Sequence, residues 1–186
     1  MTQPSNPGAA SPRGAVLAAA IEMTKPLLAR YLVGFNDVTH VRQTPDLPNH
    51  LCWCLGHCAL TMHRVAGALD GKELPAKDFH KGDGTRGSRN DGYFDTEAVA
   101  FNSKPEERHD RFPTLARATE IYNAAADRLA GLLRAADDAT LDTPVQFGTL
   151  TATPWELAIR MVFHNGFHTG QIADLRRALG FKSIYA

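Results

Sequence analysis

Residues 154–180 read PWELAIRMVFHNGFHTGQIADLRRALG, and this stretch decides the fold class. Leu157, Met161, His164, His168, Ile172, Leu175 and Leu179 recur at steps of three and four, the spacing that holds side chains on one face of an α-helix. Thr153 precedes Pro154, and Glu156 follows at the third helical position, which is a capping-box start. Gly180 supplies the stop. The spacing therefore predicts a long helix from Pro154 to Leu179 (helix four).

Three further segments show the same pattern. Helix three is expected from about Pro113 to Ala136, with Leu115, Ile121, Tyr122, Leu129, Leu132 and Leu133 as its apolar stripe. Helix two runs from about Asn49 to Leu69 and ends at the turn pair Asp70-Gly71. Its stretch LCWCLGHCAL, residues 51–60, is apolar around nearly the whole circumference, which predicts deep burial. Helix one runs from about Pro12 to Val33 on Leu17, Ile21, Leu28 and Leu32, with Ser11 as N-cap and Gly34 as stop. Pro26 inside it is expected to kink or split it.

The connections differ in character. Residues 36–48 carry Pro45 and Pro48. Residues 71–112 form a polar, Gly-rich loop well beyond the ~12–15 residues that are common. Such a loop is either functional or a cover over the core, and short helical pieces are expected within it, for example around Asp95–Phe101. Residues 145–150, VQFGTL, read as a small β-hairpin or an extended loop. Residues 1–11, rich in Pro, Gly, Ser and Asn, read as a disordered tail ahead of a single domain over 12–186. Four long amphipathic segments with little strand signal predict an all-α domain: an antiparallel four-helix bundle with a long loop between helices two and three. A looser all-α fold has the same periodicity.

Composition removes several function classes. The 186 residues hold 20 Lys+Arg and 20 Asp+Glu, so the net charge is zero. A nucleic-acid binder needs a basic excess, so no nucleic-acid partner is expected. No stretch approaches the ~18–20 apolar residues of a membrane span, and Val16–Ile21 is too short for one. No signal peptide is read at the start. The three cysteines crowd into positions 52, 54 and 58, unlike the even, spread set of a secreted disulfide framework. They read as small buried hydrophobes in a cytoplasmic protein.

Chemistry enters with the histidines. His164 and His168 interrupt the apolar stripe of helix four one turn apart, about 6 Å along the axis. Two imidazoles at that spacing can converge on one metal ion with bonds of about 2 Å, and a third ligand is then needed from a facing helix. His57 sits in the middle of the buried run of helix two and must find a polar partner there. A lone histidine on an apolar face is usually a hydrogen-bonded core residue, but an ion shared by His57, His164 and His168 satisfies all three. His63 lies on the far side of its helix. His40, His50, His80 and His109 fall in or beside loops and read as surface residues, with His80 or His109 able to reach a site from the long loop. HNGFH at 164–168 has zincin spacing, but Asn165 stands where the glutamate base would be and cannot act as one. A thiolate-zinc site is disfavoured because Cys52 and Cys54 diverge on a helix and no second pair exists. No G-x-S-x-G elbow and no Gly-rich phosphate loop are present.

Two segments carry a family resemblance. Asn49-His50-Leu51-Cys52-Trp53-Cys54-Leu55-Gly56-His57 is similar to an N-H-x-x-W-x-L-G-H stretch on a second helix. His164-x-x-x-His168-x-Gly170-Gln171-Ile172, leading to Leu175-Arg176-Arg177-Ala178-Leu179-Gly180, is similar to a closing H-x-x-x-H-x-G-Q-I helix with an L-R-R-x-L-G ending. The chain thus resembles the DinB-like (DinB/YfiT-like metalloenzyme) superfamily over roughly residues 12–182. That resemblance implies a divalent metal, nickel or zinc first and iron next, held by His57, His164 and His168. It also implies a homodimer and a small-molecule substrate, with a low-molecular-weight thiol as cofactor or substrate in the S-transferase and isomerase branches. The expected function is a metal-dependent enzyme, S-transferase-like or hydrolase-like. Its alternative is a non-catalytic metal-stabilised binding or stress-response protein. Glu156 is assigned to the helix cap, and His80, His109 and Tyr122 are the remaining candidates for proton transfer. The extended 71–112 segment departs from the simplest members.

Overall fold

A computed structural model describes residues 9–82 and 92–184, and the chain within them is mostly helical. The long helices are α1 (Pro12–Leu32), α2 (Leu51–Asp70), α3 (Leu115–Ala135) and α5 (Pro154–Ala178), with a short α4 (Asp138–Asp142) between the last two. Among the described residues there are also a 3-10 turn (His109–Arg111) and two small ladders: β1 (Phe79–His80) beside β2 (Phe94–Asp95), parallel, and the hairpin of β3 (Val145–Phe147) and β4 (Leu150–Ala152). The first eight residues of the expected tail lie outside the described residues.

Local chemistry starts the helices where the sequence indicates. The hydroxyls of Ser11, Thr114 and Thr153 accept from the backbone N–H groups of Arg13, Arg117 and Glu156. The Thr153–Glu156 capping box closes in both directions, which assigns Glu156 to the cap. α2 begins differently. His50 is its cap, and Nδ1 accepts from the Trp53 N–H at 3.0 Å. Only a ring that is unprotonated at Nδ1 can do this.

α2 is the centre of the molecule, and every residue from Leu51 to Leu60 is buried. α2 packs on α3 and α5, and α1 packs on the same two helices. The contacts reveal chain direction. Along α1 and α3, Ser11 N–H donates to the Ala136 carbonyl, and Lys25 pairs with Asp127, so these helices run oppositely. α2 and α5 also run oppositely: Asn49 bonds Gln171 at 3.2 Å, and Met62 takes a bond from Asn165. By contrast, α2 and α3 run the same way, with Cys52 near the Pro113 carbonyl and Asp70 paired to Arg128 at 2.8 Å. α1 and α5 do so as well, with Pro12 beside Trp155 and the Arg176 guanidinium on the Tyr31 carbonyl. The expected antiparallel arrangement thus describes two of these packed pairs and not the other two. A short connection forces antiparallel neighbours, whereas α2 is about 30 Å long and roughly ten extended residues could run back along it. Residues 71–114 exceed that several-fold, so α3 can start beside the start of α2.

Other expectations need correction. α1 continues through Pro26 without dividing, because its packing on α3 and α5 outweighs the roughly 3 kcal/mol that an interior proline costs. The short helical piece in the long connection is a 3-10 turn at His109–Arg111, not at 95–101. Phe94 instead pairs with Phe79 in the β1–β2 ladder and docks on α2. The short α4, capped by Asp137, was not foreseen, since five residues carry no period. The hairpin alternative holds at 145–152, with Gly148 at φ +58° in the turn. His40 and His50 are fully buried rather than on the surface, because the 36–50 connection folds inward: His40 Nε2 meets the Pro113 carbonyl at 3.1 Å and His50 packs edge-on against Phe112. Cys52, Cys54 and Cys58 are buried and form no disulfide, as the sequence suggested. Among the described residues no helix is long and apolar enough to cross a membrane.

Close packing gives one sharp prediction. A β-carbon on Gly14 would stand 2.2 Å from the Leu133 carbonyl oxygen, on the backbone of α3. Helix propensity alone favours alanine there by about 1 kcal/mol. Overpacking against a backbone costs about 1–3 kcal/mol, so the clash wins. Gly14→Ala is expected to lower the melting temperature; a rise would show that α1 and α3 separate at no cost.

Candidate metal centre

His57 comes from the middle of α2, and His164 and His168 come from adjacent turns of α5. The antiparallel packing of these two helices places all three side by side. Their ring centroids are 5.1 Å (57–164), 5.0 Å (57–168) and 4.6 Å (164–168) apart. One ring nitrogen from each lies within 4.8 Å of the others, and the cluster could hold a metal ion. His57 and His168 are buried, and His164 is partly open.

The outer hydrogen bonds suit that use. His57 Nδ1 lies 2.8 Å from the Val99 carbonyl oxygen, which can only accept, so Nδ1 carries the proton and Nε2 keeps its lone pair. His168 Nδ1 lies 2.9 Å from Gln171 Oε1, with the same consequence. Partners of this kind orient metal-binding imidazoles and raise their basicity. His164 Nδ1 is buried with no hydrogen-bond partner, an orphaned polar atom on the third ring of the cluster. The donor set therefore fits a divalent ion of borderline softness.

Electrostatics also favour the ligating form. Burial holds the His164 pKa down at about 3, helped by His168 and His57. Burial lowers His168 to about 4 and also lowers His57. All three rings are neutral at pH 7, so no proton competes for their lone pairs.

The long connection builds one wall. Trp53 stacks on His57 at 4.6 Å with rings 8° from parallel, and its Nε1 donates to Ser103 Oγ, which donates to the Ala98 carbonyl. The close approach of this segment depends on Gly56, where a β-carbon would meet Phe94 at 2.7 Å and Val99 at 2.8 Å. Beside the cluster a cleft of about 730 Å³ opens, lined by His57, His164, Arg64, Arg160, Phe101 and the hairpin residues 146–150 among others.

The remaining candidates stand elsewhere. His80 is exposed against Tyr93, and His109 lies near His40. Tyr122 is buried and donates to Thr24, and burial raises its pKa. His63 is buried between Phe79 and Arg128. Asn165 is buried beside Met62. The sequence reading gave no role to Gln171 or to the Val99 carbonyl. Gln171 was findable, three residues beyond His168 on the same helix. A backbone carbonyl in a long loop leaves no sequence signal.

Comparisons with known proteins agree with this picture. The family model described as the DinB superfamily matches residues 20–172. Among solved structures, the crystal structure of a conserved protein from Enterococcus faecalis superposes with a TM-score of 0.64 at 13% identity, covering 87% of this chain and 94% of that one. At that identity the likeness concerns the fold. A search of curated proteins gives no match.

Proposed function

The chain belongs to the DinB superfamily, and on that premise we propose that it is a metal-dependent enzyme acting on a small molecule, with His57, His164 and His168 as metal ligands. The chemistry is S-transfer from a low-molecular-weight thiol, or hydrolysis. The observation that carries the reading is the pair of outer hydrogen bonds, Val99 to His57 and Gln171 to His168, which leave matched lone pairs in a neutral, buried cluster. Three protein ligands leave coordination open, the catalytic rather than the structural pattern. When bound, nickel, zinc or iron would supply a Lewis-acid centre that favours the anionic form of a thiol or water near neutral pH.

The residues of the chain do the rest. His57 and His168 keep their Nε2 lone pairs, and His164 supplies the third ring. Trp53 and the 98–103 segment shield His57 from water. The cleft admits substrate from the side of the hairpin and Phe101. The ring of four packed helices supports reading residues 12–186 as one four-helix-bundle domain. Three buried cysteines outside any disulfide support a reducing, cytoplasmic setting. Exposed Val16, Met23 and Leu27 on α1 with Ile159 and Phe163 on α5 support a homodimer through that face.

The test is elemental analysis of the purified chain, followed by turnover on a panel of thiol–electrophile pairs and activated esters. About one equivalent of nickel, zinc or iron, with a turnover lost in His168→Ala, is expected. A full equivalent of metal with no turnover on either panel would favour the non-catalytic, metal-stabilised alternative. Gly56→Val is expected to push the 94–99 segment off α2 and to weaken metal binding while the helices persist, measured by metal titration beside circular dichroism. Unchanged affinity would remove the loop from the site.

A further inference from the structure

The cleft beside the histidine cluster has a one-signed charge. Arg64 and Arg160 line it, and no carboxylate does. This is notable in a chain with 20 basic and 20 acidic residues. Among the described residues most arginines are paired: Arg13, Arg108, Arg117, Arg128, Arg134 and Arg177 all meet carboxylates. Arg64 and Arg160 make no such ion pair and no hydrogen bond. Glu156, one turn before Arg160 on α5, has Oε2 held in the Thr153 cap and forms no ion pair with Arg160 among the described residues.

Their placement is systematic. Arg64 lies seven residues after His57 on α2, two turns or about 10 Å along the same face. Arg160 lies four residues before His164 on α5, about 6 Å along its face. Because α2 and α5 run oppositely, both steps lead toward the same end of the molecule, where the β3–β4 hairpin closes the cleft. Phe101 and Phe147 line the same cleft and give it apolar surface. The Gln146 amide is not free to compete, since it is engaged with Gly148 and Thr151.

We propose that Arg64 and Arg160 form an anion-recognition subsite, so that the substrate is a small molecule with an apolar or planar body and a carboxylate or phosphate group set toward the hairpin end, away from its reacting end. Guanidinium forks match both groups, whereas a neutral substrate would leave two unpaired cations facing it. The proposal deepens the metal-enzyme reading and rests on it for the position of the reacting end. The anion subsite itself needs no ion.

The test is calorimetric titration of the full chain, as purified and after metal removal by EDTA, with phenylacetate, benzyl phosphate and neutral phenylacetamide. At least one anion is expected to bind tenfold or more tightly than the amide in both preparations, and the tighter anion identifies the group. Arg64→Gln and Arg160→Gln, both exposed and expected to melt as the wild type does, should each remove at least fivefold of that preference. Raising the salt concentration should reduce it further. Equal binding of the amide, or an undiminished preference in the arginine variants, would overturn the subsite. A preference present only before EDTA would also overturn it, because the anion would then be bound at the ion. A preference that survives in a protein found to hold no metal would sustain the subsite while sinking the metal reading.

Discussion

Replacing His168 by alanine is expected to weaken metal binding by on the order of 10²- to 10³-fold, one ligand's share of the ~10–16 kcal/mol that such sites supply. The same holds for His57→Ala. The expectation follows from the meeting of α2 and α5, which brings the three rings to centroid separations of 4.6–5.1 Å. Gln171→Ala is expected to have a smaller effect of about 10–100-fold, since it frees the His168 ring without removing it. Competition titration with a chromophoric chelator measures all three. The graded order separates a metal site from a hydrogen-bonded histidine core. In a core, His57→Ala would lower the melting temperature without any change in metal affinity. An unaltered affinity in His168→Ala would contradict the assignment of that ring as a ligand.

Acid is expected to produce the second large effect, and histidines outside the cluster add to it. Burial holds the His50 pKa at about 3 and the His63 pKa at about 4, against an ordinary value of 6.5. The folded chain therefore binds fewer protons than the unfolded chain between those values. Stability is fully present above about pH 6.5 and is lost as pH falls toward the folded values. Each group contributes up to ~1.4 kcal/mol per pH unit, so the two together remove about 5 kcal/mol over two units. That is comparable with the ~5–15 kcal/mol that holds an ordinary domain together. The physical event at His50 is specific: a proton on Nδ1 removes the acceptor that caps α2. Denaturant titrations from pH 7 to pH 4.5 are expected to show the steep loss, and His50→Asn, which keeps a capping oxygen without titrating, should remove roughly half of it. A stability independent of pH over this range would show that both rings charge freely in the fold.

The sequence and the structure agree where periodicity and caps speak. The stripe of α5 and its Thr153–Glu156 start locate that helix to within a residue, and the buried LCWCLGHCAL run places His57 in the core. His164 and His168 could be paired from spacing alone, and His57 could be nominated because an apolar run leaves a polar ring unpartnered. What stayed hidden depended on tertiary returns of the chain. The parallel packing of α2 and α3 needs only a long connection, and length does not encode direction. His50 read as a loop residue because its burial comes from Phe112, more than sixty positions away. The wall over His57 is set by a backbone carbonyl and by the room left at Gly56, neither of which has a pattern. Arg64 and Arg160 were visible at i+7 and i−4 from the histidines, but their significance appears only when the opposed directions of α2 and α5 bring them to one end.

The most direct measurement is diffraction at the absorption edge of a crystal grown with nickel or zinc. A single anomalous peak bonded at about 2.0–2.1 Å to one nitrogen of each of residues 57, 164 and 168 is the expected result. Full metal content with the peak elsewhere on the chain, or three rings bonded only to one another and to water, would contradict the account.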